Sequence, residues 1–403
     1  MKRIALLLLL CLAFAGCQGV FSDEPRQAKR WNSVMILYSV GMNDLSPALA
    51  SDMKELKDVG SGAYLPKRSS DRAIVIISHQ PVAYNNFSTP TSPVIEYVYA
   101  EEVTGQACCD TFYRAPKGDL LTDPAVMKDL LEKVCEAFPS EHYGAIFSSH
   151  ASGWLPEGYY SKGLSWDILS SAATPLVQVR SYGQEYYTPR LSTEMNIPDM
   201  AAAIPMHLDY LVLDACLLGG VEVAYEFKDV ADQIAFSPAE VLGSGLNYVY
   251  VANHLLKPEV PDLQGLCEDF YKDYSSSSVT TTLVRTAGLD ELASVCRNLF
   301  EKYRSAIACV NPARIQKYYR YNCHWFYDLE DILVQSGVVR TDLQLLWSAL
   351  EGCVEYKKWT PVFLGFKIER SCGLSMYLPA NGSSELDEFY KGLKWNRATS
   401  LVE

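Results

Sequence analysis

Short, nearly unbroken apolar runs recur along the chain, separated by longer segments whose apolar residues return every three or four positions. "SVMILYSV" (33–40), "RAIVIISH" (72–79), "IEYVYAEEV" (95–103), "YGAIFSSH" (143–150), "LDYLVLDAC" (208–216) and "DQIAFSPAE" (232–240) have the length and β-branched content of strands. Between them, "SPALASDMKELKDVG" carries helical spacing from a Ser near its start to Gly60, and "DPAVMKDLLEKVCEAFP" (123–139) has Pro in its first turn and Pro139 past its end. "GGVEVAYEFKDVA" reads as a further helix and "IPDMAAAI" as a short one. Continuous apolar strands alternating with amphipathic helices predict an α/β fold with a mainly parallel sheet covered on both faces. Residues 161–205, rich in Ser, Tyr and Pro, interrupt the alternation and read as an exposed insertion. "SSSSVTTT" (275–282) reads as a loop. From about 255 the pattern turns helix-rich, and "CGLSMYLP" (372–379) is expected to return to the main sheet as one more strand, so no firm domain boundary is drawn there.

The first residues, "MKRIALLLLLCLAFAGC", place two cations before an apolar core too short to span a bilayer, then small residues and a cysteine. This is the pattern of an export signal. Its ending resembles a bacterial lipoprotein signal, which makes Cys17 the expected lipidated residue and 17–30 a polar tether. Phe14 fits that signal imperfectly, so ordinary secretion is the alternative to a lipid anchor at the outer membrane or cell surface. The whole chain is 49% hydrophobic and has a formal net charge of −13, which argues against nucleic acid as a partner and favours cationic substrates. Of twelve cysteines, ten follow Cys17 in no disulfide-scaffold or zinc spacing; "CCD" (108–110) is the only adjacent pair, and neighbours rarely bridge each other. Most are expected to be buried, inert thiols.

Two strands end in reactive side chains. "YGAIFSSHASGW" ends in His150 and "LDYLVLDAC" in Cys216. Ligands of open parallel sheets sit beyond the carboxyl ends of strands, so if the two strands are neighbours, imidazole and thiol face one crevice. A thiol becomes a nucleophile on deprotonation, and histidine is its usual partner in that step. Gly153, Gly219 and Gly220 follow the two motifs and allow tight turns that leave N–H groups free for an oxyanion. Asp214 opposes thiolate formation, so it makes better sense as a reader of a cationic side chain. Each residue also has a plain reading: Cys216 as core filler, His150 as a satisfied strand-end residue, Asp214 as a helix cap. His79 ends another strand and reads as structural, and His142, His207 and His254 carry no site signal.

Taken together these residues resemble the clostripain-like cysteine peptidases, in the clan that holds caspases, legumain and gingipains. The opening stretch "WNSVMILYSVGMNDLSPALASDMKELKDVG", the histidine motif "SSHASGW" and the block "LDACLLGGVEVAYEFKDVADQIAFSPAEVLGSGLNY" carry the resemblance, with "YDLEDI" and "GLSMYLP" later. It implies a caspase-like α/β fold with a helix-rich C-terminal part over 255–403. It implies an endopeptidase with His150 as general base and acid, Cys216 as nucleophile, and the N–H groups of Cys216 and Ala151 as oxyanion donors. It also implies substrates with Arg or Lys before the cut bond, read by Asp214. Ala151 and Ser152 stand where the family commonly has glycines. Some members need calcium; no EF-hand loop is visible here, and no obligatory metal is expected. Relatives that cut themselves do so between histidine and cysteine, which makes Arg180 and Arg190 the candidate self-cleavage positions, with a plain surface insertion as the alternative. The chain is expected to act as a monomer on protein or peptide substrates. The rival reading is a surface lipoprotein that keeps this fold as a binding module.

Overall fold

The computed structural model describes residues 29–403 apart from 85, 88, 160–181, 189–190 and 322–323. Cys17, Arg180 and Arg190 lie outside the described residues. The centre is a nine-stranded sheet of β1 (Ser33–Val40), β2 (Arg72–His79), β3 (Val94–Ala100), β4 (Ala107–Arg114), β5 (Tyr143–Ser148), β6 (Leu208–Asp214), β7 (Ala231–Phe236), β8 (Thr280–Arg285) and β9 (Val354–Trp359). They lie in the order β9-β8-β7-β6-β5-β1-β2-β3-β4. The five strands β7, β6, β5, β1 and β2 are parallel, and each edge is finished by two antiparallel strands. The expected parallel α/β core is there, with antiparallel margins that the apolar runs did not announce.

Side-chain alternation along the strands builds two cores. On β1, Val34, Ile36, Tyr38 and Val40 join one cluster while Met35 and Leu37 join the other. The larger cluster packs beneath helices Pro124–Ala137, Leu289–Ala308 and Arg340–Cys353. The smaller packs beneath Ser46–Lys57, Tyr248–Leu255 and Leu263–Tyr274. On β6 the even positions Tyr210 and Val212 belong to the smaller cluster. Asp214 continues that parity, so its carboxylate faces the helix Ser46–Lys57 side of the sheet.

Two expectations fail. "SSSSVTTT" is not all loop: Thr280–Arg285 is an interior strand whose first five residues are buried. Threonine is β-branched and suits a strand, and its hydroxyls are satisfied here: Thr282 donates to the Gly373 carbonyl (2.8 Å), and Thr280 pairs with Ser237 (2.6 Å). "CGLSMYLP" does not join the main sheet. Ser375–Met376 pairs with Tyr327–Asp328 in a separate two-stranded sheet, and Ser375 also bridges Gly220, its N–H donating to the Gly219 carbonyl at 2.9 Å. The C-terminal part therefore gives the sheet β8 and β9 and braces the turn after Cys216.

Within 161–205, the described part holds a hairpin, Tyr182–Thr188 with Leu191–Met195, and the helix Ile197–Ala203. The hairpin is tied to the sheet by His79: Nδ1 meets Glu185 Oε1 at 2.6 Å and Nε2 meets Thr91 Oγ1 at 2.8 Å. Both His79 and Glu185 are buried, in keeping with a structural histidine.

Candidate active site

β5 and β6 are neighbours, paired so that Ser148 stands opposite Asp214. His150 and Cys216 each lie two residues beyond that rung, and both line one cleft of about 290 Å³. Chain order reverses here, since the strands after β1 run first to β2 and later return to β5 on its other side. A crevice at such a switch point is where open α/β sheets take ligands.

The loop after β5 is pinned rather than loose. Asn43, just past β1, donates through Nδ2 to the carbonyls of Val40 and Gln184 (both 2.8 Å) and to Ser149 Oγ (3.3 Å). Ser149 Oγ donates to the Val40 carbonyl at 2.9 Å, and the His150 carbonyl accepts from the Gly183 N–H at 2.8 Å. Ala151 and Ser152 are buried. His150 Nε2 lies 2.6 Å from Asp44 Oδ1, a partner the motif-based reading missed. If Nε2 carries the proton toward that carboxylate, Nδ1 is the basic nitrogen.

Cys216 sits on a strained turn. Leu217, the next residue, is fully buried at φ 63°, a left-handed conformation unusual for a non-glycine side chain. The turn is pressed against the segment after β7: the Leu217 N–H donates to the Ala239 carbonyl (2.9 Å) and the Gly219 N–H to the Ser237 carbonyl (2.7 Å). A Cβ at Gly219 would stand 2.3 Å from the Pro238 nitrogen, so only glycine fits that approach. Cys216 Sγ accepts from the Val241 N–H (3.3 Å) and lies 3.5 Å from the Val241 carbonyl. Burial pushes its thiol up to about 12, and the charges of Glu240 and Asp214 add to the rise, against the Val241 N–H and Arg320. No hydrogen bond joins His150 to Cys216 among the described residues: the imidazole is turned to Asp44 and the sulfur to Val241. Among the described residues the N–H groups of Ala151 and Cys216 have no hydrogen-bond partner, which leaves them available to an oxyanion.

The deep end of the cleft is acidic. Asp214 is buried and accepts from Tyr248 Oη (3.1 Å), the Leu246 N–H (3.3 Å) and Ser148 Oγ (3.3 Å). Burial raises its pKa, and these three donors pull it back. Gly245, at φ 57°, passes so close that a Cβ there would meet Asp214 Oδ2 at 2.9 Å. Asp214 is therefore held by donors around a cavity, and it does not cap the helix that follows. Asp52 lines the same cleft, as does Glu240, whose Oε1 is 3.0 Å from the Arg320 guanidinium. Asp52 was legible only as an acid set among the inward positions Leu49, Met53 and Leu56 of its helix. His142, His207 and His254 pair with surface aspartates away from the cleft. The described cysteines are free thiols, among them buried Cys267, Cys296, Cys353 and Cys372. No helix among the described residues is long and apolar enough to cross a membrane.

The clostripain family's sequence model matches residues 120–334, which include both β5 and β6 with their trailing loops. Among solved structures, an inactive zymogen C11 protease from Parabacteroides distasonis superposes with a TM-score of 0.75 at 24% identity, covering 92% of this chain and 98% of that one. A secreted C11 cysteine protease from Bacteroides thetaiotaomicron gives 0.73 at 20% identity, with 92% and 99% coverage. Its complex with an irreversible peptide inhibitor gives 0.73 at 19% identity, again with 92% and 99% coverage. These structures share the fold. No curated protein matches the sequence.

Proposed function

Because the chain belongs to the clostripain family of cysteine peptidases, we propose that it is an exported endopeptidase that cuts after Arg or Lys, with Cys216 as nucleophile and His150 as base. The observation that carries this reading is the register of β5 against β6, which hangs a histidine and a cysteine from one rung over a cleft with an acidic floor. The substrate's basic side chain enters toward Asp214, and its scissile carbonyl lies over the turn at Cys216. The thiol proton passes to His150, and the sulfur attacks the carbonyl carbon. The resulting oxyanion is held by the N–H groups of Cys216 and Ala151. The tetrahedral intermediate collapses as the amine leaves with the proton from His150. Water then attacks the thioester, His150 accepting its proton and returning it to the thiolate. No metal is assigned a step.

In the resting arrangement the sulfur must leave Val241 and the imidazole must reach it before this sequence begins. Self-cleavage at Arg180 or Arg190 is the proposed trigger, and a lipid on Cys17 the proposed anchor. Fluorogenic Arg and Lys peptides, assayed with wild type and Cys216→Ala under reducing conditions, test the chemistry. Turnover is expected in wild type only, with unchanged circular dichroism. Hydrolysis that survives Cys216→Ala refutes it. Intact mass of the same two proteins tests the trigger: an active wild type that stays uncut ends that part.

A further inference from the structure

We infer that Asp52 and Asp214 together form a two-carboxylate receiver for the cationic end of the substrate side chain, so that specificity is read from the first helix as well as from the end of β6. This rests on the reading of Asp214 above and adds a second specificity-determining residue to it.

Asp52 lies on the buried side of helix Ser46–Lys57 and is 6% exposed. A carboxylate so enclosed ordinarily has donors around it, because burying an unpaired charge is costly. Asp214 has three. Asp52 has neither a hydrogen-bond nor an ion-pair partner among the described residues, and it lines the cleft that holds His150 and Cys216. The cleft's own cation, Arg320, is engaged by Glu240. Two acids from different elements thus meet one cavity, and the second is left without a partner inside the protein. A Lys ammonium or Arg guanidinium between them supplies the missing donors and charge.

The groups around Asp52 are mainly anionic or neutral. Glu55 on its own helix accepts from the Tyr248 N–H (2.8 Å), Asp214 faces it from β6, and Tyr248 and Tyr274 face it from the two covering helices. Burial first, then the charges of Asp214 and Glu55, push its carboxyl up to about 8. The empty cleft at neutral pH therefore holds Asp52 protonated. A cation entering it drives that proton off, and above about pH 8 Asp52 carries its charge before the substrate arrives.

The test compares peptides that differ only at the residue before the cut: Lys against norleucine, and Arg against citrulline. For wild type, the kcat/KM ratio of charged to neutral substrate is expected to exceed tenfold and to grow between about pH 7 and pH 9. Asp52→Asn is expected to lose at least tenfold of that ratio at about pH 9 and to abolish its growth with pH. Its melting temperature at alkaline pH is expected to rise, because a buried unpaired acid has been removed, which separates the effect from unfolding. An Asp52→Asn protein that keeps both the charged-over-neutral ratio and its pH dependence overturns the role of Asp52 alone. A wild type with no charged-over-neutral preference overturns the Asp214 reading and this one with it.

Discussion

The resting thiol gives a quantitative prediction. Cys216 is pushed from an ordinary 9.0 up to about 12, chiefly by burial. At about pH 7.5 a three-unit rise cuts the thiolate share about 1000-fold. The more basic thiolate is the better nucleophile, and a Brønsted slope of about 0.45 returns a factor of about 20 over those three units. Cys216 should therefore be alkylated about 50-fold more slowly than an ordinary exposed thiol. A brief iodoacetamide pulse, read site by site by peptide mass spectrometry, measures this, with exposed Cys309 as the internal reference. The Cys216 rate should climb about tenfold per pH unit without levelling below about pH 10. A Cys216 that reacts as fast as Cys309 near neutrality, or that levels off below about pH 8, would refute the claim that the sulfur rests enclosed against Val241.

Two further outcomes follow from the same geometry. The Asp44 side chain is 67% exposed, so its bond to His150 is screened and worth only about 0.2–1 kcal/mol; Asp44→Asn should lower kcat by no more than about fivefold in steady-state assays. A loss above a hundredfold would mean that Asp44 becomes enclosed when substrate binds. Glu222, fully buried on the helix after the cysteine turn, accepts from the Tyr377 N–H and Tyr390 Oη, and burial raises it from 4.5 to about 7. Below about pH 4.5 both folded and unfolded states are protonated, and the group contributes fully; as pH rises through about 7, the folded state must take up a buried charge and that stability is lost. Glu222→Gln should therefore melt above wild type at about pH 8.5, by up to about 3 kcal/mol, and show no such gain at about pH 5. Equal gains at both pH values would refute the assignment.

How much of this was legible in the sequence depends on which physical signal a residue leaves. β1, β2, β5 and β6 are buried on both faces and read as unbroken apolar runs, so the sheet centre was visible. β8 was hidden because its threonines look polar, and their satisfaction depends on Gly373 and Ser237, far away in sequence. β9, "VEYKKW", is a charged edge strand, a composition that protects edges and disguises them. His150, Cys216 and Asp214 stood out because each ends an apolar run. Asp44 and Asp52 did not, since turn and helix aspartates are common and only tertiary packing brings them to the cleft. The resting turn of His150 toward Asp44 leaves no mark in sequence at all.

The acidity of the cleft has opposite consequences for binding and for chemistry. Asp214 and Glu240 raise the Cys216 thiol, so the charges proposed to receive a basic side chain also hold the sulfur protonated. The Arg320 guanidinium pulls the same thiol the other way. If a substrate Lys or Arg seats on the acids as proposed, it adds a second positive charge and removes part of the cost of forming the thiolate. A neutral substrate of equal size leaves the thiol where burial and the acids put it. Discrimination should then be felt in kcat as well as in KM, because the residue that is recognised also eases ionisation of the nucleophile. Steady-state kinetics on the Lys and norleucine peptides should show kcat falling for norleucine; a difference confined to KM would mean that the acids only bind.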